Sequence, residues 1–238
     1  MKPSKQIYAN YTLEDFEVWK LLFNRQIECL EDKVATEFLE SLEKVDFTSD
    51  RIPNFEEVNN TLSKYTGWQI ITVPNLAPAD IFFNHLSKKR FTATCWLRAI
   101  DQIDYLEEPD MFHDVFAHTP LLSNKEYTDF FQKMGQRALQ VICEPEKVTM
   151  LQRLYWFTIE FGLIKSSEET KIYGAGIISS KSEAEYSLSN EPAKLDYDVA
   201  KIMNHPFRTD VIQDTYYVID SFEQLSKSFD QIDTQLFS

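Results

Sequence analysis

Glycine is scarce in this chain, with five among 238 residues beside nine prolines. That poverty excludes collagen-like, repetitive and linker-dominated polypeptides, which need these residues at high frequency. Cysteine is scarcer still. Cys29, Cys95 and Cys143 are odd in number and far apart, with no Cys-x-x-Cys pair. They exclude a disulfide scaffold, a zinc knuckle or an iron–sulfur cluster and fit a reducing compartment. No stretch approaches the roughly 18 uninterrupted apolar residues that a membrane span requires. The opening segment, MKPSKQIYANYTLEDFEVWK, lacks the apolar run and small-residue cleavage pattern of a signal peptide, so a cytoplasmic location is expected. Basic side chains are outnumbered, 24 Lys and Arg against 38 Asp and Glu, for a net charge of −14. Such a balance gives no general attraction to DNA, RNA or anionic lipid, and neither nucleic acid nor membrane is an expected partner.

What is present is a core. The chain is 43% hydrophobic and 14% aromatic, at a length that fits one large globular domain. Thr12 and Asp15 resemble a capping box ahead of Phe16, Trp19, Leu22, Phe23, Ile27 and Leu30, so a helical region is expected over 13–42, broken near Glu31. Asn54 is a predicted N-cap of a helix to Tyr65, with Gly67 near its end. WQIITV (68–73) is β-prone and stopped by Pro74. A helix follows over 78–87, then the apolar run 91–96 with Arg98 directly behind it. Asn124 caps another amphipathic helix, and 148–163 reads as the most apolar one, ended by Gly162. Residues 172–178 suggest a tight β-hairpin around Gly174 and Gly176, and 214–220 a late strand followed by the short amphipathic helix SFEQLSKSF. The Gly-Ala-Gly imitates the start of a dinucleotide fingerprint, but residue 179 is serine and no clean helix follows, so a turn is the expected reading. There is no Walker A loop and no G-x-S-x-G elbow. The simplest account is one mainly helical domain with small β elements.

Two of the four histidines, His113 and His118, stand five apart in EPDMFHDVFAHTPLL. Two imidazoles and a carboxylate make a first-row metal site with open positions. On an ideal helix five residues separate side chains by about 140°, which makes the spacing weaker than His-x-x-x-His. Plain buried or surface histidines are the alternative. Glu160 is the only charged residue between Arg153 and Lys165, inside LYWFTIEFGLI. Desolvating an unpaired carboxylate is costly, so Glu160 is the candidate third ligand, unless it simply lies on the exposed side of the helix. Asp110, three residues before His113, fits the carboxylate that orients a ligating imidazole, or a helix-start acid exploiting the dipole. Asp114 reads better as the latter. Arg98 offers a bidentate site for an amino-acid carboxylate, or a structural ion pair with Asp101, Asp104 or Glu108. Phe82, Phe83, Phe91, Trp96, Tyr155, Trp156, Phe157 and Phe161 are mostly core, with two or three available as walls for a planar ligand.

IDYLEEPDMFHDVFAHTPLL and YWFTIEFGLIK, with KIYGAGIISSKSEAEYSLS, TYYVIDSFEQL, TGWQIITVPNL and FFNHLSKKRFTATCWLR, resemble the pterin-dependent aromatic amino acid hydroxylases, in particular the short bacterial phenylalanine 4-hydroxylases. The similar blocks run in order from about Asp15 to Leu225. The resemblance implies an α+β, mainly helical, single catalytic domain over 1–238 with flexible ends at 1–11 and 230–238. It implies non-haem Fe(II) on His113, His118 and Glu160, with Asp110 behind His113. It places Arg98 on the substrate carboxylate, Ser179 near that end, and Pro109 and Trp156 around the substrate ring. Phe82 would stack on a tetrahydropterin (tetrahydrobiopterin or a related pterin), with Asp114 and Tyr155 lining the cofactor side. The implied activity is phenylalanine 4-monooxygenase, with an aromatic amino acid, O₂ and reduced pterin as its small-molecule partners. Tryptophan or broad-specificity hydroxylation, and a divergent iron-binding protein without activity, are the alternatives.

Some positions depart from the family pattern. Ala117 replaces the usual glycine before the second histidine, Asn75 the usual glycine after Val-Pro, and Ala77 a larger apolar residue. Leu106 stands where the animal enzymes carry threonine. They bear on pterin binding and substrate contact more than on iron. Against the family's longer members, no regulatory domain and no tetramerising helix are expected, and hence a monomer.

Overall fold

Thr12 begins the first helix as its sequence suggests. Its hydroxyl accepts from the Asp15 N–H, and the Asp15 carboxylate accepts from the Thr12 N–H at 2.7 Å. Such a reciprocal cap is worth about 1 kcal/mol. In this computed structural model, residues 2–104, 106, 108–167 and 169–238 are described.

Helix α1 (Leu13–Leu30) and α2 (Thr36–Val45) are separated where Asp32 takes a left-handed φ of 61°. The break lets the Ala35 N–H donate to the Ile172 carbonyl at 2.8 Å, anchoring the turn to the far end of the chain. Asn54 caps α3 (Phe55–Tyr65), and Gly67, at φ 76°, turns the chain into β1 (Gln69–Thr72). Helix α4 (Ala79–Ser87) crosses over to β2 (Arg90–Ala93), which pairs parallel with β1. Parallel pairing demands such a crossover. Beyond β2 the extended chain carries Thr94 to Arg98 inward.

The two histidines lie in a π-helical segment, Phe112–His118. Helix α5 (Lys125–Gln140), capped by Asn124, and α6 (Pro145–Tyr155), with proline in its first turn, precede a second π-helical segment, Trp156–Glu160. The apolar helix expected over 148–163 therefore ends earlier, and Gly162 begins a strand. That strand, β3 (Gly162–Ser166), pairs antiparallel with β4 (Glu169–Ile172). After α7 (Ala175–Ile178) and α8 (Lys181–Leu188) come β5 (Ala193–Asp196), α9 (Val199–Asn204) and β6 (Thr215–Ile219). The sheet order is β4-β3-β6-β5. Helices α10 (Phe222–Lys227) and α11 (Phe229–Phe237) close the described chain.

One expectation is corrected here. No hairpin forms around Gly174 and Gly176: the hairpin is β3–β4, and the two glycines flank the start of α7. At the C-terminal end, α11 buries Ile232 and Leu236. At the other end, the Gln6 amide donates to the Pro53 carbonyl at 2.9 Å and accepts from the Phe55 N–H at 2.8 Å, while the Tyr11 hydroxyl donates to the Cys95 carbonyl.

The core is one contiguous cluster spanning α1 to α11. Its centre is aromatic. Phe112 and Phe116 stack at 4.7 Å, Trp19 meets Phe112 edge-on at 5.8 Å, and Phe23 and Phe38 both abut Phe116. Each such ring buries enough surface to stabilise the fold by about 1.5–3 kcal/mol, so the histidine-bearing segment sits on a rigid floor. No helix among the described residues is long and apolar enough to cross a membrane.

Candidate metal centre

The five-residue histidine spacing becomes intelligible in the π-helical segment. Widening the turn to i→i+5 bonding returns residues five apart to nearly the same face. The two rings meet edge-on, and their Nε2 atoms are 3.2 Å apart. Glu160 arrives from the second π-helical segment, where the Phe161 N–H donates to the Trp156 carbonyl at 2.9 Å. Its Oε1 lies 3.1 Å from His118 Nε2 and its Oε2 3.6 Å from His113 Nε2. All three donor groups lie within 4.8 Å of one another.

This donor set fits a divalent first-row ion. Two donors about 2.1 Å from one ion and about 90° apart stand about 3.0 Å from each other. The observed spacings match donors converging on one point from one side, the facial two-histidine–one-carboxylate arrangement that leaves the opposite positions open. The carboxylate is nearly buried, at 8% exposure, with no basic side chain of lysine or arginine paired to it among the described ion pairs. A cation there would resolve its desolvation.

The His113 ring is held by Ser179 and not by Asp110. Its Nδ1 is 2.8 Å from the Ser179 hydroxyl, which donates its own proton to the Ala175 carbonyl at 2.9 Å. The hydroxyl is therefore an acceptor toward His113. Nδ1 carries the proton, and the Nε2 lone pair is left facing Glu160 and His118. Burial pushes His113 down to about 4, with the Glu160 charge only partly opposing it, so the ring is neutral at pH 7. For Glu160 burial acts upward, but the imidazoles of His118 and His113 outweigh it and hold the carboxyl at about 2. His118, 1% exposed, is packed under Phe91 with ring centroids 4.8 Å apart.

Asp110 has another partner. Fully buried, it grips Arg98 bidentately, Nε and Nη2 each at 2.9 Å, and accepts from the Arg98, Phe112 and His113 backbone N–H groups. Its link to His113 runs through the main chain. The alternative ion pairs for Arg98 are likewise absent: Asp104 binds Arg25 and Glu108 binds Lys2. With one edge of the guanidinium on Asp110, Nη1 has no partner among the described residues. Asp114 ties the segment to the run after β2, accepting from the Thr94 N–H at 2.7 Å and its hydroxyl at 2.9 Å. Burial raises its carboxyl to about 7 against those bonds.

Aromatic walls flank the donors. Phe82 meets Tyr155 edge-on at 5.2 Å, and Tyr155 stacks on Phe131 and, at 6.5 Å, on His118. Trp156, half-buried like Pro109, lies on Phe207 at 4.5 Å and 19°. Its indole N–H donates to Gln213 at 2.9 Å. Phe207 and Gln213 escaped sequence reasoning because they lie in an irregular stretch with no periodicity. Two glycines seat the carboxylate. A Cβ on Gly174 would come within 2.4 Å of the Glu160 carbonyl, and one on Gly162 within 2.1 Å of the Thr158 carbonyl. Of the positions that depart from the family, Ala117 is fully buried, and Asn75 is not among the described non-glycine residues with positive φ.

The chain matches the family model for biopterin-dependent aromatic amino acid hydroxylases over residues 2–236. It is 47% identical to the phenylalanine-4-hydroxylase of Ralstonia nicotianae over 222 residues, covering 93% of this chain and 71% of that protein. Identity to the Chromobacterium violaceum phenylalanine-4-hydroxylase is 46% over 216 residues, covering 90% and 72%. A crystal structure of the Chromobacterium violaceum phenylalanine hydroxylase, with bound iron(III) and oxidised 7,8-dihydrobiopterin, superposes with a TM-score of 0.91 at 44% identity, covering 99% of this chain and 86% of that one. By sequence, fold and donor set together, the chain belongs to the biopterin-dependent aromatic amino acid hydroxylases.

Proposed function

We propose that this protein is a phenylalanine 4-monooxygenase, converting L-phenylalanine to L-tyrosine with Fe(II), O₂ and a tetrahydropterin. The observation that carries the reading is the convergence of His113, His118 and Glu160, together with an arginine whose Nη1 has no partner among the described residues. The relatives named phenylalanine-4-hydroxylase support the choice of substrate.

Held by those three side chains, iron together with a reduced pterin supplies the activation of O₂. The protein's own groups do the rest. Ser179 fixes His113 as the Nδ1–H tautomer, so its Nε2 is a ligand without first losing a proton. Glu160 enters the site already ionised. Arg98, immobilised by Asp110, presents Nη1 to the carboxylate of the amino acid and so sets the distance from that end to the ring. Trp156 and Pro109 flank the ring, and Phe82 and Tyr155 offer apolar faces to the planar pterin. The apolar surround excludes water and strengthens every charge interaction within.

The test is direct. Protein loaded with ferrous iron, given phenylalanine, O₂ and tetrahydropterin, is expected to form tyrosine in step with pterin oxidation. Absence of tyrosine, or hydroxylation of tryptophan alone, overturns the assignment.

A further inference from the structure

Between α9 and β6 the chain runs from His205 to Asp214 without helix or strand, yet its Phe207 lies flat on Trp156. One side chain accounts for this. Gln213, 6% exposed, accepts from the Trp156 indole N–H at 2.9 Å through Oε1. Its Nε2 donates to the Arg208 and Val211 carbonyls, both at 2.9 Å. A reversed amide would set a donor against the indole N–H and an acceptor against two carbonyls, so the partners dictate its orientation. The Gln213 backbone N–H donates to the buried carboxylate of Glu183 at 3.2 Å, which also accepts from the Tyr216 hydroxyl at 2.5 Å. Glu183 lies in the first turn of α8, whose cap Ser180 follows Ser179, the partner of His113. Gln213 thus joins three things: the Trp156 rotamer, the path of 205–212, and the helix start beside the metal ligands.

We infer that Gln213 is a positioning residue that sets substrate-ring selectivity, holding Trp156 and the Phe207 loop together as one wall of the aromatic pocket. The inference rests on the proposed function, in that Trp156 faces the substrate ring. Without the amide, Trp156 loses the acceptor that fixes its ring, and two loop carbonyls lose their donors. The wall loosens and a wider ring is admitted. Selectivity for a six-membered ring over an indole is a difference of small pocket contacts, and small misplacements of a positioned ring carry large kinetic effects.

The test compares wild type, Gln213→Leu, the milder Gln213→Asn, Trp156→Phe, and the Gln213→Leu/Trp156→Phe double variant. In Gln213→Leu the KM for phenylalanine is expected to rise about tenfold with kcat changed less than about threefold, and the phenylalanine-over-tryptophan ratio of kcat/KM to fall about tenfold. Calorimetric binding of phenylalanine to the iron-loaded protein, without pterin, should weaken by the same factor while iron affinity is unchanged. The double variant should be no worse than Trp156→Phe, because the amide acts through that ring. Should Gln213→Leu fail to fold, Gln213→Asn gives the same readouts at smaller amplitude. A lowered melting temperature with KM and the selectivity ratio unmoved overturns the inference, as does additivity in the double variant. If wild type hydroxylates another aromatic amino acid, the functional reading fails while the same shifts, measured with that substrate, still decide the role of Gln213.

Discussion

Replacing Ser179 with alanine removes the acceptor for His113 Nδ1–H and nothing else that faces the metal donors. The 2.8 Å contact to that nitrogen is lost, while the Ala175 carbonyl relinquishes only a side-chain donor and keeps its bond from the Ser179 backbone N–H. A buried donor left unpaired costs about 1–3 kcal/mol. The His113 side chain is 18% exposed, so water recovers part of this, placing the expectation near 1–2 kcal/mol, or about 5- to 30-fold. The loss falls on iron binding, because the wrong tautomer puts a proton on the nitrogen that must ligate. Anaerobic titration of the metal-free protein with ferrous ion against a chromogenic chelator measures it. Ser179→Ala should bind iron about 5- to 30-fold more weakly, and Ser179→Thr, which keeps the hydroxyl, within about threefold of wild type. Wild-type affinity in the alanine variant, or equal loss in both, would refute the tautomer assignment.

Gly174→Ala forces a methyl to within 2.4 Å of the Glu160 carbonyl. It should destabilise the fold by about 1–3 kcal/mol in denaturant unfolding and weaken iron binding in parallel; a neutral variant contradicts the close-approach reading. Arg98→Lys abolishes the fork that meets Asp110 and an incoming carboxylate together. The KM for phenylalanine should rise about 10- to 100-fold with iron affinity unchanged, and steady-state kinetics beside the chelator titration separate the two. Glu183 gives the pH prediction. Burial raises its carboxyl above the ordinary 4.5, Tyr216 and Gln213 opposing only in part. Because the folded state holds the proton more tightly, its contribution is favourable below about 4.5 and is lost as pH rises through the raised value. Glu183→Gln escapes that loss, so its melting temperature should gain on wild type from pH 4 toward pH 7. A pH-independent difference would contradict this.

The helices were legible wherever caps and periodicity coincide: Thr12, Asn54 and Asn124 each begin one as expected. Glu160 was legible because a lone acid among aromatics demands a partner. The pairing of Arg98 with Asp110, twelve residues away, was not, because candidates nearer in sequence were equally charged and only the bend after β2 chooses among them. The same holds for Ser179 and His113, which the fold joins across 66 residues. Glycine misled. Gly174 and Gly176 carry the composition of a turn, yet both have ordinary negative φ, and what they provide is room against the Glu160 backbone.

The π-helical turns make this centre vulnerable in a way that side-chain chemistry does not describe. A π turn can be regarded as an α-helix holding one residue too many. Deleting a single residue within Phe112–His118 or Trp156–Glu160 would let the segment relax to ordinary helix. A deletion between His113 and His118 would leave the histidines four apart, still on one face of an ordinary helix, but the edge-on approach that brings both Nε2 atoms to Glu160 would no longer be set by the wide turn. Lengths of these two segments, more than the identities of most residues in them, are therefore what a library of insertions and deletions should find intolerant.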